Sequence, residues 1–311
     1  MTIGNPDCLE LNSNREVAPP SLPQTKFDLR GGFPLPETPA ATTLRSTMDA
    51  LVYGSGELIL GESFLRTLMV VWIGVAMGTF LLLLFVTAPY GRHTRSGWGP
   101  ALPARLGWIL MEAVAPLVFL YFFLKGNKSP NPVTVLFLGL FLLHYLNRAF
   151  IYPFRMKSSD RPMTLTVVVM GMFFNSVNGL LNGRYLNLFA SRYTAGWLLD
   201  FRFITGVVLF LLGMIINLHS DGILRSLRSE TDSGYSIPQG GAFQLVSCGN
   251  YLGELIEWIG WAFLTWSLAG LTFAIWTAAN LIPRALAHHR WYQSQFPDYP
   301  QNRKAIIPYI L

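Results

Sequence analysis

From Ala242 to Ala287 the chain runs for 46 residues in which only Glu254, Glu257 and Arg284 are charged. At about 1.5 Å rise per residue that is roughly twice the helix needed to cross a hydrocarbon core of about 30 Å, so the tract has to fold back on itself. The turn is expected near Ser267 to Gly270. Elsewhere, Thr67 to Gly91 gives 25 residues without a charge, and further apolar runs place helices over about 102–124, 131–152, 162–187 and 198–224. The third follows the turn-forming stretch Lys128 to Pro132 and ends in polar HYLNR. The fold class that results is all-α, an integral membrane protein with seven transmembrane helices. Hydrophobic residues at 51% against 13% charged, with a mean hydropathy of +0.38, lie far from the averages of soluble domains.

Residues 1–61 read differently. They are rich in Pro, Ser and Thr and hold 4 Lys/Arg against 7 Asp/Glu, a composition that forms no core, so a polar tail is expected, with a short helix near Thr43 to Tyr53. It lacks the basic start and short apolar core of a signal peptide. Residues 62–311 then form the transmembrane domain. Gly54, Gly56 and Gly61 do not have GxGxxG spacing and follow no strand, so a turn is the reading there. Cys8 and Cys248 have no partner at metal or redox spacing, which implies neither a disulfide framework nor a metal site.

The net charge of +6 is sorted by membrane side, which argues for orientation and against nucleic acid. Arg92, Arg95, Arg155, Lys157, Arg161, Arg225, Arg228, Arg284, Arg290, Arg303 and Lys304 follow spans one, three, five and seven, while the other loops hold Lys125, Lys128 and Arg192. The C-terminus is therefore expected to be cytoplasmic. Arg225, Arg290, Arg303 and Lys304 are individually read as topology signals.

Carboxylates in apolar helices need partners or a wet cavity. Asn250, Glu254 and Trp258 share one helical face at i, i+4, i+8, with Glu257 one residue off it and read as a structural ion-pair member. Asn217, Asp221, Arg225 and Arg228 form a second face, and Arg284, His288 and Tyr292 a third. The three stripes converge at the cytoplasmic half. Guanidinium groups with carboxylates, amides and tyrosine suit a ligand bearing phosphate and ribose. Individually, such residues also serve as interhelical hydrogen bonds.

Glu112 and Tyr145 sit in apolar surroundings on spans two and three. A carboxyl that is costly to ionise can donate a hydrogen bond, and so can a buried phenol. Together they can polarise a carbonyl oxygen, the electrophilic half of an enone reduction. A Glu112–Arg148 ion pair is the structural alternative.

The segments YGRHT (Tyr90 to Thr94), LHYLNRAFIYPF (Leu143 to Phe154), INLHSDGILRSLR (Ile216 to Arg228), YSIPQGGAF (Tyr235 to Phe243), GNYLGELIEWIG and HHRWYQSQFPDYPQNRKAIIPYIL resemble the steroid 5α-reductase family over about residues 64–311. The resemblance implies a seven-helix membrane enzyme that uses NADPH to reduce the Δ4 double bond of a 3-oxo-steroid, with hydride delivered to C5 and a proton to C4. Glu112 and Tyr145 match the positions that bind the 3-keto oxygen. Tyr90, Arg161, Asn217, Asp221, Arg228, Tyr235, Asn250, Glu254, His288 and Tyr292 match cofactor positions, and Trp108, Phe174 and Trp258 match the lining of the steroid cavity. Met111 stands where a glutamine is familiar, Ser158 where an asparagine is, and Ser236 where an arginine is. The lipid-soluble substrate is expected to enter from the membrane, either a bacterial inner membrane or the endoplasmic reticulum, and the enzyme to act as a monomer among membrane lipids.

Two other readings compete. A relative reducing an enoyl thioester or polyprenoid would keep the cofactor stripes and change the pocket around Glu112. A transporter is disfavoured because the halves show no inverted repeat and the charges gather at one side instead of the midplane.

Overall fold

The structure, a computed structural model, describes residues 61–87, 97, 99–126, 128–156, 162–227 and 235–311. The tail before residue 61, with the short helix expected in it, lies outside the described residues. The apolar runs become helices. Five are long and apolar enough to cross a membrane: α1 (Glu62–Phe85), α2 (Ala104–Leu124), α3 (Pro132–Arg155), α4 (Leu165–Leu188) and α5 (Phe201–Ser226). Two more follow, α6 (Gly249–Thr265) and α7 (Leu268–Gln295). α6 has only 17 residues, and Asn280, Pro283 and Arg284 lower the hydropathy of α7, so length and composition alone establish five spans where seven are expected.

The break between α6 and α7 falls where the sequence places it. Trp266 takes a left-handed conformation (φ 42°) as the C-cap of α6, and Ser267 caps α7 by accepting from the Gly270 N–H at 2.9 Å. The last carbonyls of a helix have no partner within it. Here the Trp197 indole donates to Leu264 O and the Tyr193 hydroxyl to Thr265 O, both at 2.9 Å, which holds a bulky residue in a conformation that otherwise favours glycine.

Other boundaries moved for identifiable reasons. α1 starts at Glu62, five residues before the charge-free run, and Arg66 pairs with Glu62 one turn back at 2.6 Å. α3 is started by Asn131, which accepts from the N–H groups of Val133 and Thr134 while Thr134 returns a bond to the Asn131 N–H, with Pro132 in the first turn. It widens to a π-helix over Leu146–Ile151 before the last turn, Tyr152–Arg155. Asp200 caps α5, and the side chain and N–H of Arg202 hold its carboxyl down at about 2, so the cap stays ionised. Residues 162–164, read as the start of a span, form a strand instead. β1 (Ala101–Pro103) and β2 (Pro162–Thr164) pair antiparallel and start α2 and α4 side by side.

Glycine sets the closest approaches. A Cβ on Gly213 or Gly253 would collide with the backbone of Glu257 or Asn217 respectively, and Gly206 and Gly260 meet Leu264 and Phe210 in the same way. α5 and α6 therefore touch backbone to backbone as antiparallel helices, a small-residue seam of the kind that packs helices in lipid. α2 and α4 do the same in parallel at Gly179 and Gly183. α1 is attached differently. Its stripe Leu65, Met69, Trp72 and Ala76 is buried and Trp72 lies 4.7 Å from Trp276 of α7, ring to ring. Val70, Val71, Leu81 and Phe85 face outward, Phe85 88% exposed, as lipid-facing residues do.

Residues 235–248 and 296–311 close one end. Val246 and Lys304 form a parallel bridge, and the Arg303 guanidinium donates to Pro238 O at 2.9 Å and to the Gln239 side chain at 2.8 Å. Arg303 is only 4% exposed. It thus has a structural role beside its reading as a topology charge, with partners some 65 residues away in sequence that no local pattern announces.

Candidate active site

The α5–α6 seam brings the first two polar stripes together. Asn217 donates to Asn250 O at 2.9 Å, and the Asn250 amide donates to Asp221 Oδ1 at 3.3 Å. Asp221 Oδ2 is buried with no hydrogen-bond partner among the described residues. α7 brings the third stripe. Arg284 donates to the Tyr251 hydroxyl at 2.9 Å, and that hydroxyl lies 3.3 Å from His288 Nε2.

These groups form one wall of a cavity of about 730 Å³. Asp221, Asn250, Glu254, His288, Tyr292 and Tyr235 all line it. Asn217 does not; it stands one hydrogen bond behind, fixing the carbonyl of Asn250. Arg225 also lines the cavity, a location its reading as a topology signal did not foresee. Tyr90, Arg161 and Arg228 lie outside the described residues.

The other end is apolar, bounded by Trp72 and Val75 of α1, Met170 and Phe173 of α4, and Phe273 and Trp276 of α7. Phe174 lines it too, 5.3 Å from Trp276 and 6.1 Å from Phe273. Trp258 is 1% exposed and packs on Phe273 at 3.9 Å.

Glu112 and Tyr145 meet between the two ends, both on the cavity wall. Tyr145 is 2% exposed, and its hydroxyl lies 3.5 Å from Asn175 Oδ1. The Asn175 amide donates to Met111 O at 2.7 Å, which ties the residue before Glu112 to the tyrosine. Two carbonyl-polarising groups thus come from α2 and α3, oriented by α4.

Arg148 organises the junction. Its guanidinium lies 3.4 Å from Glu254 and 3.6 Å from Asp221, over the ring of Trp108 at 4.8 Å and that of Tyr152 at 5.1 Å. The Trp108 indole donates to Arg148 O at 2.9 Å. The cation lies within ion-pair distance of the carboxylates of α5 and α6, and Glu112 feels its charge from farther away. In the sequence Arg148 is one basic residue in a polar span end, and nothing local marks it as the hub. His144 was missed as well: Nδ1 lies 2.8 Å from Glu257 Oε1, a buried pair 113 residues apart.

A family model described as 3-oxo-5-alpha-steroid 4-dehydrogenase matches residues 161–311. Steroid 5-alpha-reductase DET2 of Arabidopsis thaliana is 40% identical over 260 residues, which cover 82% of this chain and 99% of that protein. The human 3-oxo-5-alpha-steroid 4-dehydrogenase 2 is 45% identical over 240 residues, 76% of this chain and 93% of its own length, and the Bos taurus 3-oxo-5-alpha-steroid 4-dehydrogenase 1 is 39% identical over 267 residues, 81% and 99% respectively. With identity of this degree across nearly the whole of each relative, the chain belongs to the steroid 5-alpha-reductase family.

Proposed function

We propose that this protein reduces the Δ4 double bond of 3-oxo-steroids with NADPH, giving 5α-3-oxo-steroids. The observation that carries the reading is a single cavity with a hydrogen-bonding end, an apolar end, and Glu112 and Tyr145 between them. The polar end suits a dinucleotide. Asp221 Oδ2 has no hydrogen-bond donor among the described residues, the Arg148 guanidinium standing 3.6 Å away, so a ligand hydroxyl would complete it, and Arg225 and Arg284 bring positive charge suited to phosphate. Asp221, Asn250, Glu254, Tyr235, His288 and Tyr292 would hold the cofactor, supported from behind by Asn217 and joined by Tyr90, Arg161 and Arg228 through the family pattern. When bound, NADPH supplies the hydride.

The remaining chemistry belongs to the chain. Tyr145 and Glu112 donate hydrogen bonds to the 3-keto oxygen and strengthen them as negative charge develops there during reduction. The single phenol proton, which reaches Asn175 Oδ1 at 3.5 Å, turns to the ketone when the steroid binds, and Trp108, Phe174 and Trp258 bound the steroid and exclude water, which raises the worth of that hydrogen bond. α6 and α7 complete seven spans, with the C-terminus cytoplasmic as the basic loops require. The steroid enters laterally from the lipid, and one chain suffices. Mass analysis of a 3-oxo-Δ4-steroid incubated with NADPH and purified protein should show a gain of two hydrogens. Turnover of enoyl-CoA or polyprenoid with the steroid left unchanged would transfer the reading to another lipid enone.

A further inference from the structure

The buried His144–Glu257 pair is left unused by this account, and its geometry does not suit a mere strut. Glu257 is 1% exposed, and its second oxygen, Oε2, has no hydrogen-bond partner among the described residues. Leaving one carboxylate oxygen unsatisfied in the interior is costly, and an apolar pair would join α3 to α6 better. The imidazole lines the cavity, packed edge-on against Trp258 at 4.6 Å and Tyr145 at 4.9 Å. Nδ1 is taken by Glu257, which leaves Nε2 without a hydrogen-bond partner among the described residues. A carboxylate that holds one ring nitrogen fixes the tautomer and supports the imidazolium. The charged or titratable groups nearest the pair are Glu112 on α2, Arg148 on α3 and Glu254 on α6, with the Tyr145 phenol beside the ring.

We infer that His144, held by Glu257, is a second acid of the cavity and protonates the α-carbon of the enone while Tyr145 and Glu112 serve the oxygen. The inference rests on the enone-reductase reading. Reduction consumes one hydride, from NADPH, which ends as NADP⁺, and one proton. The Nε2–H bond breaks, the electron pair of the enolate forms the C4–H bond, and the imidazole is left neutral with its Nδ1–H on Glu257. Water then restores the proton.

The test uses full-length protein in detergent. His144→Gln should lower kcat about 100-fold with the steroid KM within about threefold, and Glu257→Gln about tenfold. In both, protonation becomes slower than hydride transfer. The solvent deuterium isotope effect should therefore rise, and the effect of NADPH deuterated at the transferred hydrogen should shrink. Glu257→Asp should restore part of the rate. A kcat within about twofold of wild type, a fall with both isotope effects unchanged, or loss of NADPH binding in both variants would overturn the inference and make the pair structural. Wild-type protein that fails to reduce the steroid would strike the reading of function instead.

Discussion

The two ends of the cavity are built by different physics. At the polar end, Asp221, Asn250, Glu254 and Arg148 are placed by a backbone-to-backbone glycine seam and by ion pairs with few alternatives. At the apolar end, α1 leans on α7 through aromatic rings, with one side-chain hydrogen bond, Trp276 to Trp72 O at 2.9 Å. Dispersion contacts redistribute when one is lost, whereas a buried carboxylate deprived of its cation has no substitute. The polar end is therefore the brittle one, and substitutions there should cost more than substitutions of similar size at the α1–α7 contact.

The sharpest way to break this contrast is Arg148→Met, which keeps length and removes the charge. Asp221 would be left buried with only the more distant Arg225, and Glu254 partly buried without its cation, and a loss of about 3 kcal/mol is expected in detergent unfolding. A change below about 1 kcal/mol would mean that water or lipid headgroups already screen the site. Gly253→Ala should come next, at about 1–3 kcal/mol, because the new methyl meets the backbone of Asn217 and not a movable side chain. Trp276→Phe at the other end should cost only about 1 kcal/mol for the lost hydrogen bond, the ring packing being largely kept. A larger effect for Trp276→Phe than for Gly253→Ala would reverse the contrast.

What the sequence made legible follows the same division. Uncharged runs located the helices, and helical spacing brought Asp221, Asn250, Glu254, His288 and Tyr292 to one site, because both signals are local. Pairings across long separations left no such trace. His144 with Glu257, Arg148 with Asp221, and Arg303 with Pro238 each depend on how helices are docked. Local patterns misled where a charge was locally neutralised, as at Arg66, and where a three-residue strand was too short to show a period of two.

The central claim is that one end of the cavity holds the cofactor and the junction activates the ketone. It is tested most directly by measuring NADPH affinity and kcat together in Tyr145→Phe and Asn250→Ala. Tyr145→Phe should lower kcat about 10²–10³-fold with NADPH affinity within about twofold. Asn250→Ala should weaken NADPH binding about tenfold or more, since it also leaves Asp221 Oδ1 without its donor. Equal loss of cofactor affinity in both variants, or unchanged turnover in Tyr145→Phe, would contradict the account.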